Sequence, residues 1–205
     1  EGFGRFFTRY PDTRKGIFLV TKFRPSPPDK LSEALDKGLK RLSTDYVDAF
    51  FTHGISEFGQ IAGLRDWAEQ MKKAGKIKFI GFSTHTNMED CLLAAAKSGW
   101  IDTVMFTYNF RLMNTPKMRE AVDACAQAGI GLTSFKTQAG EQVKPDTDAE
   151  FKLLQKFLDK GFTDKQAKLK AVWENPQIAS VCSQMPNLAY LSANVAAARD
   201  RTALA

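Results

Sequence analysis

The sequence alternates short apolar runs with amphipathic helix patterns from residue 17 onward, and this alternation limits the folds that the chain can adopt. Leucines recur at helical spacing between two of these runs, at Leu31, Leu35, Leu39 and Leu42. The runs themselves predict strands at residues 17–23, 46–53, 77–83, 102–109, 129–136 and 178–183. Strands that are apolar on both faces and alternate with helices are typical of an α/β fold with a parallel sheet covered by helices.

Residues that typically start and end helices occur where the alternation of strands and helices places the helix boundaries. Thr115 before Pro116, and the run from Thr163 to Gln166, are typical of helix starts. The predicted helix ends carry glycines, at positions 75, 99, 129 and 161. The first sixteen residues indicate the end of a helix and a loop, with Phe3, Phe6 and Phe7 forming an apolar stripe. No GxGxxG follows a strand, so a doubly wound open sheet stays an alternative without a dinucleotide fingerprint.

The number of repeated units is small for a closed barrel. An eight-unit β/α barrel needs about 250 residues, whereas this chain has 205 residues and six units. We therefore expect a single domain over residues 1–205 that begins in the middle of a larger architecture. A parallel sheet with two unpaired edges is an aggregation hazard, which favours a front segment that is cut off or disordered.

Charge and composition narrow the classes of partner. The net charge is +6, but Lys and Arg are interleaved with acids on predicted helices, which indicates solvated helix faces and no nucleic-acid partner. No apolar run approaches the roughly 18 residues of a membrane span. Three separated cysteines, Cys91, Cys125 and Cys182, predict free thiols in a reducing, cytoplasmic compartment and no metal site.

Two neighbouring predicted strands end on basic side chains, Lys22 in FLVTKF and His53 in DAFFTHG. Active sites of parallel β/α folds gather at the carboxyl ends of strands, so we expect both side chains to face one pocket. A lysine beside a proton donor and a histidine on a carbonyl oxygen would suit carbonyl reduction with a hydride cofactor. A lysine that attacks a carbonyl would instead suit a Schiff-base aldolase.

Longer segments resemble a known family. The strongest is LSEALDKGLKRLSTDYVDAFFTHG, residues 31–54, followed by GKIKFIGFSTH, IDTVMFTYNF, GIGLTSFK and NLAYLSANVAAA. In order and spacing, from about residue 15 to 198, they resemble the aldo-keto reductase family. This resemblance implies a (β/α)8 TIM barrel of aldo-keto reductase type, with the first two β/α units missing from this chain. It also implies reduction of an aldehyde or ketone, with NADP(H) as the expected cofactor and NAD(H) as the alternative.

The resemblance assigns catalytic roles to two residues and cofactor contacts to others. Lys22 matches the lysine that perturbs the pKa of the proton donor, and His53 matches the histidine that positions the carbonyl. The predicted cofactor-binding residues are Ser83 and Thr84 at the carboxamide, Phe135 stacked on the nicotinamide, and Asn194 at the adenine.

Several positions depart from the family pattern. The family's proton-donor tyrosine and its aspartate fall upstream of Glu1, and Tyr10, in a loop with a proline, is a poor substitute. Met105 stands where a glutamine often binds the carboxamide, and a thioether cannot make two amide hydrogen bonds. Around the 2′-phosphate and adenine, where basic or acidic side chains are usual, the chain has Gln184, Tyr190 and Ala193.

These departures leave a second hypothesis open, a catalytically impaired barrel that binds nucleotide as a regulatory or binding protein. His85 is expected to be a solvated residue at a helix start, with a contact to cofactor or substrate as its alternative role. The polar loop from Thr137 to Asp148 carries no group that identifies the small-molecule carbonyl substrate. The sequence does not determine the oligomeric state.

Overall fold

The computed structural model describes residues 1–138 and 147–199. Within them the helices are α1 (Gly2–Arg9), α2 (Pro28–Leu42), α3 (Arg65–Lys73), α4 (Met88–Ser98), α5 (Pro116–Gln127), α6 (Asp148–Leu158), α7 (Asp164–Trp173) and α8 (Leu188–Arg199). The strands are β1 (Val20–Phe23), β2 (Val47–Ile55), β3 (Ile77–Thr84), β4 (Thr103–Thr107), β5 (Gly131–Phe135) and β6 (Ile178–Val181). The predicted alternation of strands and helices is therefore confirmed.

The chain divides into two compact units, Glu1–Val104 and Met105–Ala205. In the first unit β1 pairs with β2 and β2 pairs with β3, and both pairs are parallel. In the second unit β5 pairs in parallel with β6. Parallel pairing needs a crossover between consecutive strands, and α2 and α3 provide the crossovers of the first unit. The single domain expected over residues 1–205 stays a prediction.

The core of the first unit forms where α2 and α3 cover the strands. Leu31, Leu35 and Leu39 are buried, as their spacing predicts. Trp67 of α3 is also buried, and its ring packs edge-on against Phe50 with centroids 5.2 Å apart. Its indole N–H donates to the hydroxyl of Ser32 on α2 at 2.9 Å, so the polar atom of this core residue is satisfied.

The second unit has a separate cluster of buried side chains between α6 and α7. Its members are Phe110, Leu154, Phe157, Ala167 and Ala171. The two alanines lie four residues apart on α7, so they share one face of the helix and let the rings of the cluster approach its backbone closely.

Predicted helix boundaries agree with the structure. Thr163 forms a capping box with Gln166 at the start of α7, and Pro116 is the first residue of α5. The four predicted glycines, at positions 75, 99, 129 and 161, all have positive φ, and Gly99 ends α4 in the left-handed conformation. Glycine is favoured at these positions because a residue with a Cβ would be strained at a positive φ.

The apolar stripe predicted near the amino terminus lies on α1. Phe7 is buried in α1, but Phe3 and Phe6 are 58% and 40% exposed. The Phe7 ring contacts the rings of both Phe3 and Phe6, and Phe6 also packs against Tyr10. The predicted stripe is therefore a row of rings in contact along one helix.

Candidate active site

Lys22 and His53 lie near the carboxyl ends of adjacent parallel strands. Phe23 pairs with Thr52 in the register of β1 and β2, so Lys22 and His53 flank this pair. Both residues are exposed. Partial desolvation of the imidazole lowers the pKa of His53 below its ordinary value of 6.5, and the positive charge of Lys22 lowers it further. The structure thus brings these two predicted residues into electrostatic contact, and both causes favour the neutral form of the imidazole.

Arg24 is a third basic residue of this region, which the sequence analysis did not single out. Its charge also lowers the pKa of His53. Arg24 follows Lys22 by two residues at the end of β1, and side chains two apart along a strand share one face. The two-residue spacing between Lys22 and Arg24 could therefore have identified Arg24 from the sequence.

The strand that carries His53 ends later than predicted. β2 continues to Ile55, whereas the prediction ended it at His53. Between Thr52 and Ile55 the register against β3 shifts, and Gly54 within this segment has φ +75°. Such an irregularity re-aims a side chain at the end of a strand, as β-bulges do beside active sites. His53 lies within this irregular segment, directly after Thr52, which pairs with Phe23 of β1 and with Phe82 of β3.

Ser83 and Thr84 are the last two residues of β3, and both are buried. The hydroxyl oxygen of Ser83 accepts a hydrogen bond from the Gly54 N–H at 3.1 Å, which links it to the residue after His53. A hydroxyl that accepts one bond can still donate its proton. Thr84 uses its proton in a 2.8 Å bond to the carbonyl of Thr86. Their contact with a carboxamide stays a prediction.

Phe135, the predicted nicotinamide platform, belongs to the second unit. It is the last residue of β5 and half-buried, and its carbonyl accepts a hydrogen bond from the Tyr108 N–H at 3.2 Å. The next residue, Lys136, has φ +55°, so the chain turns directly after the ring. The location at a strand end agrees with the prediction, and its stacking role stays a prediction.

Asn194 lines a cavity of about 210 Å³ in the second unit, between α7, α8 and the residues after β6. Its side-chain amide donates to the hydroxyl of Ser183, 3.2 Å away. The rest of the lining is mostly apolar and includes Leu169, Trp173 and Val195. This volume suits one planar ring rather than a whole dinucleotide. The contact of Asn194 with an adenine stays a prediction.

The structure also locates the residues that depart from the family pattern, and His85. Met105 is buried in β4, and Tyr10, the residue directly after α1, is 47% exposed. His85 is exposed between β3 and α4, as expected for a solvated residue. Gln184 is exposed after β6. Most of the loop from Thr137 to Asp148 lies outside the described residues.

One polar contact near the predicted adenine residue was missed from the sequence. Lys165 of α7 reaches Tyr190 of α8, with its ammonium 3.9 Å from the ring centroid and a hydrogen bond to the phenol oxygen. The two residues are 25 positions apart, so their spacing in the sequence gave no signal.

All three cysteines are free thiols, as predicted. Cys91 and Cys125 are buried, and burial raises the pKa of both, that of Cys125 to about 12.

Over residues 1–138 and 147–199, no group of three His, Cys, Asp or Glu side chains could hold a metal ion. Over the same residues, no helix is both long and apolar enough to cross a membrane.

A family model described as "Aldo/keto reductase family" matches residues 1–186. This match covers most of the chain, so the chain belongs to the aldo-keto reductase family, and the predicted resemblance is confirmed.

Curated relatives agree with this assignment. Aldo-keto reductase yakc [NADP(+)] of Schizosaccharomyces pombe is 36% identical over 95 residues, which cover 40% of this chain and 28% of the relative. The NADPH-dependent alpha-keto amide reductase of Saccharomyces cerevisiae is 38% identical over 77 residues, 34% of this chain and 25% of that protein. Methylglyoxal reductase DkgB of Salmonella typhi is 30% identical over 143 residues, 66% of this chain and 52% of the relative. The matched part thus amounts to between a quarter and about half of these relatives.

Solved structures show the fold. The thermostable aldo-keto reductase Tm1743, in complex with the inhibitor epalrestat, matches with a TM-score of 0.77 and 21% identity, over 96% of this chain and 70% of that one. The apo form of aldo-keto reductase AKR11C1 from Bacillus halodurans matches with a TM-score of 0.74 and 21% identity, over 98% of this chain and 74% of that one. The predicted fold class, an α/β barrel of aldo-keto reductase type present in part, is confirmed.

Proposed function

We propose that the full-length protein reduces an aldehyde or ketone to the alcohol with NADPH or NADH, and that Lys22 and His53 act at the carbonyl. The observation that carries the proposal is the pairing of these two side chains at neighbouring strand ends, where the pKa of His53 is lowered. A neutral imidazole can donate a hydrogen bond from a ring N–H to a carbonyl oxygen.

The charge around His53 suits this chemistry. A carbonyl oxygen gains negative charge as it is reduced, and cations fixed nearby stabilise that charge. Lys22 of β1 and Arg24, which directly follows that strand, supply two positive charges close enough to lower the pKa of His53. His53 would orient the oxygen, and Lys22 would favour proton delivery by the donor tyrosine that the family places upstream of this segment. Each group then acts on the same oxygen and its proton.

A reduced nicotinamide cofactor would supply the hydride when bound. The predicted cofactor contacts are proposed for each unit by itself, Ser83 and Thr84 in the first, Phe135 and Asn194 in the second. Asn194 and the apolar cavity beside it would hold the adenine, and Phe135 would offer a ring face to the nicotinamide. Ser83 would donate its hydroxyl proton to the carboxamide oxygen, while Thr84 could only accept from the carboxamide nitrogen because its own proton is already used.

The names of the relatives support carbonyl reduction and the choice of cofactor. Two of them name NADP(+) or NADPH, and two name a carbonyl compound, an alpha-keto amide and methylglyoxal. For this protein we propose NADP(H) as the cofactor, with NAD(H) as the alternative, and a small carbonyl compound as the substrate. The impaired nucleotide-binding barrel receives no support from these names, and the cytoplasmic location stays a prediction.

Turnover of the full-length protein tests the proposal. With methylglyoxal and a panel of aldehydes, wild-type protein should consume NADPH or NADH, followed by loss of nicotinamide absorbance. His53→Ala should lower kcat by about 100-fold or more, the scale for removing a hydrogen-bond donor from an oxygen that gains negative charge. Lys22→Met should lower kcat similarly, whereas Lys37→Met, an exposed lysine of α2, should leave it unchanged.

The state of the imidazole provides a second measurement. NMR titration of the His53 ring should show a pKa below 6.5, and Lys22→Met should raise that pKa because a nearby cation has been removed. Absence of turnover on every carbonyl, with nucleotide bound, would favour the binding protein instead. Absence of both turnover and nucleotide binding would reject the proposal.

A further inference from the structure

The first unit contains an open cleft between α1 and the end of α2, which are helices that carry none of the predicted catalytic or cofactor residues. Its volume is about 390 Å³, which is within the range of small-molecule sites. Three arginines, two hydroxyl side chains and one carboxylate line it, from Arg5, Arg9, Arg41, Thr8, Ser43 and Glu1. The lining side chains therefore have a net charge of +2.

Close packing of α1 on α2 brings the arginines together. Gly4 of α1 is buried, and a Cβ at this position would lie only 2.1 Å from the carbonyl oxygen of Arg41 in α2, so the two backbones touch. Arg5 follows Gly4 directly, and Arg9 lies one turn further along the same face of α1. Three guanidinium groups thus line one cleft because a glycine lets the helices approach.

The cleft also contains hydroxyl groups that can bind a ligand. Thr8 donates to the Gly4 carbonyl at 2.9 Å or to Ser43 Oγ at 3.1 Å, and neither bond uses the hydroxyl proton of Ser43. Ser43 can therefore donate that proton to a ligand. Its backbone is fixed by the end of α2, where its N–H donates to the carbonyl of Lys40 at 3.2 Å.

The positive charges of the cleft are only weakly neutralised. Arg41 Nη2 lies 3.8 Å from Glu1 Oε1, and these side chains are 71% and 76% exposed, so the pair is weak. Among the residues that the structure describes, neither Arg5 nor Arg9 forms an ion pair with a carboxylate. Like charges four residues apart on a helix destabilise it. An anion in the cleft would relieve the repulsion between Arg5 and Arg9.

We infer that this cleft binds the phosphate group of a small phosphorylated compound. Guanidinium groups suit phosphate because each can offer two parallel N–H donors to its oxygens. The cleft is larger than one phosphate group, and Glu1 and Ser43 would contact hydroxyl groups on the rest of the ligand. A bound ligand would stabilise the packing of α1 on α2. The inference does not depend on the proposed reductase chemistry, because the two sites share no residue.

Calorimetric titration of the full-length protein tests the site, with glycerol 3-phosphate as the probe and inorganic phosphate and glycerol as comparisons. Wild-type protein should bind glycerol 3-phosphate, bind inorganic phosphate more weakly and show no binding of glycerol. Added salt should weaken the binding, because the contacts are ionic and exposed. Saturating NADPH should leave the probe bound, whereas a phosphate held at the candidate cofactor site would be displaced.

Charge variants should change the affinity in opposite directions. Arg41→Gln and the double variant Arg5→Gln/Arg9→Gln should weaken glycerol 3-phosphate about five-fold per charge removed, the scale of one exposed ion pair. Glu1→Gln should strengthen binding, because it removes the carboxylate that competes for Arg41. The matched control is Arg65→Gln, which removes an exposed arginine at the start of α3, outside the cleft, and should leave the affinity unchanged.

Thermal unfolding provides a second readout and shows that each variant is folded. Glycerol 3-phosphate should raise the melting temperature of the wild type and of Arg65→Gln but not that of the double variant. An affinity that is the same in Arg41→Gln, the double variant and the wild type would overturn the inference, as would displacement of the probe by NADPH. Equal affinities for glycerol 3-phosphate and inorganic phosphate would overturn the assignment to a phosphorylated compound.

Discussion

The pair formed by Arg14 and Asp48 gives the sharpest stability prediction. Both side chains are less than a tenth exposed, and Arg14 Nη2 lies 2.9 Å from Asp48 Oδ2. The same oxygen accepts the Leu19 N–H at 2.9 Å, and Lys78 donates to Oδ1 at 2.7 Å. Burial alone would raise the pKa of Asp48, but these hydrogen bonds and the Arg14 charge outweigh it and hold that pKa below its ordinary value. The cluster fixes the starts of β1, β2 and β3 against each other.

Asp48→Asn should therefore destabilise the protein by about 3 kcal/mol, the lower end of the cost of breaking a buried ion pair. The lower end applies because Arg14 keeps its bonds to the carbonyls of Ile17 and Tyr46, at 2.8 and 3.0 Å, and its stacking on the Tyr46 ring. An asparagine also keeps one oxygen for the Leu19 N–H. Asp48→Ala removes this acceptor as well, and should cost about 5 kcal/mol.

Urea unfolding of the full-length protein at several pH values measures this effect. The matched control is Asp36→Asn, which breaks a pair with Lys76 whose side chains are 54% and 34% exposed and should cost less than about 1 kcal/mol. Because the folded pKa of Asp48 lies below its unfolded value near 3.8, its stabilisation is complete above pH 3.8 and is lost as the pH falls through the folded pKa. The difference between wild type and Asp48→Asn should shrink over that range.

Either of two results would refute this reasoning. If Asp48→Asn costs no more than Asp36→Asn at pH 7, the buried pair does not stabilise the fold beyond an ordinary surface pair. If the difference from wild type persists unchanged below the folded pKa, the loss comes from altered packing and not from the carboxylate charge.

Three further predictions follow from local geometry. Gly81→Ala should destabilise the protein by about 3 kcal/mol or prevent folding, measured by urea unfolding, because an added Cβ would lie 1.9 Å from the backbone oxygen of Thr103. Disulfide-exchange labelling of native protein should modify the exposed Cys182 first and Cys125 only after unfolding, since burial raises the pKa of Cys125 to about 12; peptide mass mapping identifies the labelled site. Thr163→Ala should cost about 1 kcal/mol in thermal unfolding, because its hydroxyl accepts the N–H of the third residue of α7.

Periodicity was sufficient to predict the elements of the fold, because each strand and helix must bury an apolar face regardless of its distant partners. All the predicted strands are present, but most are shorter than the apolar runs that indicated them. The run at residues 102–109, for example, becomes Thr103–Thr107. Tyr108 and Asn109 remain buried beyond that strand, so burial extends past the ladder of backbone hydrogen bonds.

The candidate site was predictable only where its residues follow the period of the fold. Lys22 and His53 lie near the carboxyl ends of neighbouring parallel strands, so topology alone brings them together. Contacts between Lys165 and Tyr190, or between Arg14 and Asp48, join residues 25 and 34 positions apart through side-chain conformations. No pattern in the sequence encodes those pairings, because they depend on how the helices and loops pack in three dimensions.

The surroundings of Lys22 also help to choose between the two chemistries that its position allowed. A lysine that forms a Schiff base attacks as the neutral amine, and proteins favour that form by burying the side chain away from water. Lys22 is exposed near the end of its strand, so burial does not supply this activation. As an ammonium it lowers the pKa of His53 and would stabilise an oxygen that gains negative charge. The exposure of Lys22 therefore weakens the aldolase hypothesis. It favours a lysine that acts through its positive charge, which is the role that carbonyl reduction requires.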